Sequence, residues 1–268
     1  MGKNNEILAV LSLWWREMKR FYRQPSRVVG ALASPLLFWV LIGSGIGTSF
    51  RASSATGARA AQNYLEYFFP GTILMILLFT AIFSTISLIE DRREGFMQSV
   101  LVAPVSRGSM VLGKILGGTS LAVAQGVLFL LIAPFIGVRL SLGGWLEVFP
   151  VLVLTAFSMT GLGFIIAWRM QSIQGFHAIM NLFLMPLWLL SGALFPADGA
   201  PVWLQFVMKL NPLTYGMAAL RYSLYQGAPG LGSLPSYGVS VAITAGFGVL
   251  LYAAATLAAS KRTAESLP

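Results

Sequence analysis

Residues 68–114 read FFPGTILMILLFTAIFSTISLIEDRREGFMQSVLVAPVSRGSMVLGK. An apolar run of membrane-spanning length (68–89) meets the block Glu90-Asp91-Arg92-Arg93-Glu94-Gly95, and a second apolar run opens at Ile115. From Glu90 to Arg107 the stretch holds three acids (Glu90, Asp91, Glu94) and three bases (Arg92, Arg93, Arg107), in a chain only 10% charged. A loop that merely anchored a membrane protein would be simply basic. A charge-balanced, partly apolar loop reads as a surface that grips another protein.

The rest of the composition agrees with a lipid setting. The 268 residues are 56% hydrophobic, against about 45–50% apolar and about 25% charged in soluble domains. Mean hydropathy is +0.76. The net charge of +9 sits beside apolar runs, which points to anionic lipid headgroups and topology control and away from nucleic acid. With no cysteine there are no disulfides, thiolate metal sites or cysteine nucleophiles. The single His177 cannot build a multi-histidine metal site. The first apolar run follows 27 charged and aromatic residues and is too long for a signal-peptide core, so it is expected to be retained.

A helix crosses the hydrocarbon core with about 20 apolar residues. Six segments qualify: 28–47, 68–89, 115–138, 148–168, 173–195 and 238–260, none with an internal Asp, Glu, Lys or Arg. The expected fold is all-α, a single transmembrane domain over 1–268. Placing the N-terminus inside puts 13 of the 18 lysines and arginines on the cytoplasmic side. Arg51, Arg59, Arg139, Lys209 and Arg221 remain outside. Six spans bring the C-terminus back to Lys261-Arg262 on the inner side, and the block at 90–107 faces the cytoplasm.

Residues 1–27 form a helix of another kind. Ile7, Leu8, Leu11, Trp14, Trp15, Met18 and Phe21 recur at helical spacing, Arg16, Lys19, Arg20 and Arg23 take the other side, and Pro25 ends the run. It reads either as an interfacial anchor or as a second contact surface for a cytoplasmic partner. The outer loop 48–67 is small and polar. The outer segment 196–237 is too apolar to float and too interrupted to span, and is expected to re-enter the outer leaflet as short helices.

Several motifs carry less than their spacing suggests. Gly108–Lys114 has the spacing of a phosphate-binding loop, but Ile115 stands where Ser or Thr would hold magnesium, and a membrane span opens there. Lys114 is expected to snorkel to the inner interface. Gly113 and Gly117 have the small-xxx-small spacing that lets helices approach. Gln125, Thr155, Ser158, His177 and Asn181 either bond neighbouring helices or line a path. Pro35, Pro134 and Pro186 are expected to kink their spans. No span carries a carboxylate of the kind that ion-coupled carriers use. Energy for uphill movement therefore has to enter from a partner, and the charged block is the entry point.

The order of features resembles the type-2 ABC exporter permeases, the ABC-2 (type V exporter) family, which includes drug-resistance, polysaccharide and nodulation-factor exporters. Three parts carry the likeness: the amphipathic N-terminus with Pro25 and the first span, residues 68–114, and residues 190–221. Within 68–114 the acidic-basic cluster, Gly95, Leu101, Ala103-Pro104-Val105 and Gly113-Lys114 match. Gln98 departs where the family often has Glu. The resemblance implies a non-enzymatic permease subunit in a bacterial cytoplasmic (inner) membrane, binding no cofactor itself. It would pair with a copy of itself or a close relative, with two ATP-binding subunits that use ATP and magnesium docked inside.

On that pattern the contact residues are Glu90, Asp91, Arg92, Arg93, Glu94, Gly95, Val102, Pro104 and Arg107 in a coupling loop, with Arg16 and Arg20 from the N-terminal helix. Phe79, Phe83, Asn181 and Met185 are the implied path-lining residues. The cargo is expected to be a hydrophobic or amphipathic compound, with a lipid-linked glycan as the alternative; a non-transporting scaffold and a channel are the rivals from other classes. Exchanging Arg92 and Arg93 for Glu is expected to spare folding and to uncouple ATP hydrolysis from transport.

Overall fold

The computed structural model describes residues 3–265 apart from 24, 54–63, 139, 198–199 and 226–234. Arg59 and Arg139 lie outside the described residues, as does the centre of the expected 48–67 loop. The described residues form eleven α-helices and no strand. Five helical segments are long and apolar enough to cross a membrane: Tyr64–Arg93, Arg107–Leu130, Leu142–Arg169, Ile173–Ala193 and Tyr237–Lys261. The expected first span is a helix too, but its apolar stretch is the shorter Leu32–Gly45.

Helix α1 (Lys3–Tyr22) has Glu6 in its first turn and Lys19 and Arg20 in its last, matching the helix dipole. Helix α2 (Pro25–Ser53) follows it, with Pro35 inside. Helix α3 (Tyr64–Ser84) is apolar on every side, and burial follows: Phe68, Phe69, Ile73, Leu74, Ile76, Leu77 and Leu78 lose all solvent contact. It lies at the centre, against α2, α6 (Arg107–Leu130) and α7 (Leu142–Arg169). The span breaks at Ser84-Thr85, whose hydroxyls bond back to the carbonyls of Ala81 and Ile82 (both 2.6 Å) in competition with the main-chain ladder. It resumes as α4 (Ile86–Arg93).

Gly95, at φ 76, turns the chain from α4 into α5 (Phe96–Val102). Ala103, preceding Pro104, is extended and ends α5. Ser106 then caps α6 by accepting from the Ser109 amide at 3.2 Å. Ser141 and Ser172 cap α7 and α8 (Ile173–Trp188) in the same way. Pro134 kinks no span: α6 ends at Leu130, and Pro134 opens a short 3-10 turn, a position that needs no amide hydrogen.

Within 196–237, the segment expected to re-enter as short helices, the described residues form two helices. Past α8 the chain makes a wide turn over Leu189–Ala193, with Gly192 at φ 84. It then forms α9 (Val202–Leu210) and α10 (Pro212–Tyr225) before α11 (Tyr237–Glu265). Helix α10 is buried against α7 and α11, whereas α9 turns Val202, Trp203, Phe206 and Leu210 outward.

The irregular turn leaves carbonyls that the helix ladder does not reach. Asn211 Nδ2 donates to Leu187 O (2.6 Å), the Thr214 hydroxyl approaches Leu190 O (3.3 Å), and the Tyr64 hydroxyl donates to Leu194 O (3.0 Å). Arg221, only 7% exposed, donates to Gly192 O (2.8 Å) and lies 4.1 Å over the Tyr67 ring. The segment thus shields main chain that hydrocarbon would leave unsatisfied. Arg221, read from sequence as an outer topology charge, is a buried part of that shield.

Candidate functional site

The charged block builds a clasp between three helices. Asp91 has no solvent exposure. Arg16 grips it with two parallel bonds of 2.7 and 2.8 Å, and Arg20 adds a third at 2.8 Å while also holding Glu90 at 2.8 Å. Lys114, 6% exposed, bonds Asp91 and, at 2.5 Å, Glu17. Three carboxylates (Glu17, Glu90, Asp91) thus balance three cations (Arg16, Arg20, Lys114) drawn from α1, α4 and α6. Bidentate pairing fixes direction as well as distance, so α1 cannot slide along α4 without breaking bonds.

The expectation that Lys114 snorkels to the interface is overturned. Its ammonium is enclosed because two carboxylates meet it inside, and that pairing is what makes burial of the charge tolerable.

Helix α1 comes close enough for this because α6 presents glycines. A Cβ at Gly113 would lie 2.9 Å from the Val10 carbonyl oxygen, and one at Gly117 would lie 2.7 Å from Glu17 Cβ. The small-xxx-small pair is the groove in which α1 lies. Trp14 adds a bond to Ser120 (2.9 Å). At the start of α1, Glu6 accepts from the Ser106 hydroxyl (2.7 Å) and amide, and the Ser109 and Ser106 hydroxyls hold its carboxyl below the ordinary range.

Arg92 turns the other way. Its guanidinium donates to the carbonyls of Ala167 (2.5 Å), Trp168 (2.7 Å) and Met170 (2.6 Å), which end α7. Arg93 reaches Gln171 O at 3.0 Å from an exposed position. Arg92 therefore closes the carbonyl end of a long helix, and from this geometry its replacement by Glu is expected to cost stability, where the sequence reading expected folding to be spared. An acid there would face three carbonyl oxygens at the negative pole of α7.

What remains open to a partner is the far side of the block. Val102 is 83% exposed, and Arg93, Glu94, Gln98, Ser99 and Pro104 are exposed with it; Arg107 is half-buried. Phe96 is half-buried beneath Arg16, whose guanidinium carbon is 3.7 Å from the ring centre. The block divides into an inward charged half and an outward, largely uncharged half. Sequence reasoning missed Glu6, Glu17 and Ser106. Glu17 was visible as the lone acid amid Arg16, Lys19 and Arg20.

The four residues implied as path-lining come together. Phe79, Phe83, Asn181 and Met185 all line one cavity of ≈ 560 Å³ between α2, α3 and α8, bounded by Glu17 and Arg20 of α1. Phe79 and Phe83 pack at 5.5 Å between ring centres, and Phe83 meets His177 at 5.2 Å. Four of the five span polar groups fall into the two classes expected of them; Thr155 falls into neither, its hydroxyl being buried without a partner among the described residues. Thr80 donates to Gln125 (2.5 Å) and Ser158 to the Thr244 carbonyl (3.0 Å), tying helices, while His177 and Asn181 line the cavity. Among the described residues no group of three or more potential metal ligands occurs.

A bundle of membrane-length helices with a partly open cavity between α2, α3 and α8, and a charged, helix-joining loop at one end, fits a membrane permease. The chain belongs to the ABC-2 type transporter family, whose pattern it matches over residues 9–225. It is 25% identical to the inner membrane transport permease YadH of Escherichia coli K12 over 90% of this chain and 91% of that one. It is 30% identical to a ycf38 transport permease of Cyanophora paradoxa over 75% of this chain and 68% of the other. Nodulation protein J of Rhizobium leguminosarum bv. trifolii is 27% identical over 72% of each.

Proposed function

We propose that this chain is the membrane-spanning subunit of an ATP-driven exporter in a bacterial cytoplasmic membrane. Two copies, or this chain and a close relative, pair side by side. Two ATP-binding subunits dock at the end that carries the block, which is the cytoplasmic end, with both termini of the chain on that side. The exported compound is hydrophobic or amphipathic and passes through the cavity lined by Phe79, Phe83, Asn181 and Met185. The observation that carries this reading is the division of the block into an exposed half and a charged half joined to α1, α6 and α7.

The mechanism follows from that division. The ATP-binding subunit meets α5 and the turn through Pro104, together with Arg93, Glu94 and the basic face of α1. A push on α5 displaces Gly95 and α4. Asp91 carries the displacement to α1 through Arg16 and Arg20 and to α6 through Lys114, and Arg92 carries it to the α7–α8 elbow. Helix α8 lines the cavity, so movement of its start changes the cavity's shape. ATP binding to the partner then biases two arrangements of the helices, one open to each side. In this scheme the chain contributes no catalytic residue.

The test is capture of a co-expressed ATP-binding subunit, with Val102→Glu and Pro104→Glu introduced together. Loss of capture with unchanged yield and melting temperature supports the docking face. Full capture, with transport intact, rejects it.

A further inference from the structure

The charges around the cavity narrow what it can hold, and this step rests on the exporter reading above. Apart from the His177 imidazole, the only ionisable side chains among its described lining residues are Glu17 and Arg20. Both are already paired: Glu17 with Lys114, Arg20 with Asp91 and Glu90. They stand beside the clasp, where the cavity meets α1. Elsewhere the polar lining is uncharged: Ser34, Thr80, Ser84 and Ser87, with the amide of the exposed Asn181 on α8.

A guest with a net charge would give up hydration in a cavity that offers no free counter-ion, and the Phe79 and Phe83 rings would offset only part of that loss for a cation. A neutral polar head meets groups that both donate and accept, and Asn181 alone offers two donors and an acceptor. Neither His177 nor Asn181 is engaged in a hydrogen bond among the described residues. We infer that the cavity takes amphiphiles whose polar head carries no net charge, and that Asn181 is the residue that sets this preference.

The experiment uses the full chain in phosphatidylcholine nanodiscs. Three diazirine-alkyl probes share one chain and carry a glucoside, a phosphate or a trimethylammonium head. Photolabelling is mapped by peptide mass spectrometry. The outward residues Val249, Leu250 and Leu257 of α11 report each probe's partition into lipid. Relative to that signal, the glucoside probe is expected to label the Phe79–Phe83 peptide about tenfold more than either charged probe. Asn181→Asp is expected to raise labelling by the ammonium probe about fivefold, supplying the missing counter-charge.

Equal labelling by a charged probe in the unaltered chain overturns the inferred substrate class and leaves the exporter reading standing. Labelling by no probe above the α11 level overturns both, since the cavity would then hold nothing. An unchanged ammonium signal in Asn181→Asp removes Asn181 from its assigned role.

Discussion

At one end of the bundle Asp91 draws together Arg16, Arg20 and Lys114 from two other helices; at the far end of α8, Arg221, Asn211 and Thr214 reach the main-chain carbonyls of a single turn. Both are buried polar constructions, and they do different things. The first joins side chain to side chain between separate helices, so its bonds break and re-form when helices shift. The second joins side chain to backbone, so it holds one backbone shape. A transporter driven from one end needs the first kind where force arrives. It needs the second kind where irregular main chain is buried within the bundle.

The comparison is broken most severely at Asp91. Asp91→Ala leaves Arg16, Arg20 and Lys114 short of their shared acceptor, with a buried ammonium half-paired. The expected loss is about 3–5 kcal/mol, read as a large fall in melting temperature of the purified chain. Pairing it with Lys114→Met should recover part of that loss, because the second change removes the stranded charge. A double variant as unstable as the sum of the two single variants would mean that the residues do not act together.

Arg221→Gln tests the other end and should cost about 2–3 kcal/mol, since one charge-assisted bond to Gly192 O and the stacking on Tyr67 both go. Arg221→Lys should restore only part, because an ammonium cannot lie flat on the ring while reaching the carbonyl. Gly117→Val lifts α1 from α6 and should cost about 1–3 kcal/mol. It should also weaken the effect of Asp91→Ala, since the clasp would already be loosened.

Much of this was legible in the sequence. The lengths of the apolar runs predicted the spans, and Gly95 and Ala103-Pro104, noted only as parts of the family's pattern, are where the block turns. The four cavity residues came from the family's pattern, and the structure gathers them at one place. Partner choice among charges was not legible. The order Glu90-Asp91-Arg92-Arg93 looks like one surface, yet helical geometry sends Asp91 to α1 and α6 and Arg92 to the end of α7. Lys114 looked like a snorkelling residue because its acceptors, Glu17 and Asp91, are 97 and 23 positions away. Arg221 looked like a topology charge because the turn it caps becomes irregular only through Gly192.

The smallest expected effect is at Glu6. Its carboxyl titrates below the ordinary range, so its tie to Ser106 stabilises above the unfolded value and is lost as pH falls through the folded one. Glu6→Gln should therefore melt slightly below the unaltered chain near neutral pH, and the gap should close in acid. A gap that persists in acid would show that Glu6 acts by something other than its charge.

The central claim is that the block's charged half holds the permease together while its exposed half receives the partner. The most direct measurement compares Val102→Glu with Asp91→Ala for both melting temperature and capture of the ATP-binding subunit. The account predicts that Val102→Glu melts within about 0.5 kcal/mol of the unaltered chain and loses the subunit, whereas Asp91→Ala loses stability first. Full capture by Val102→Glu, or an unchanged melting temperature in Asp91→Ala, would contradict it.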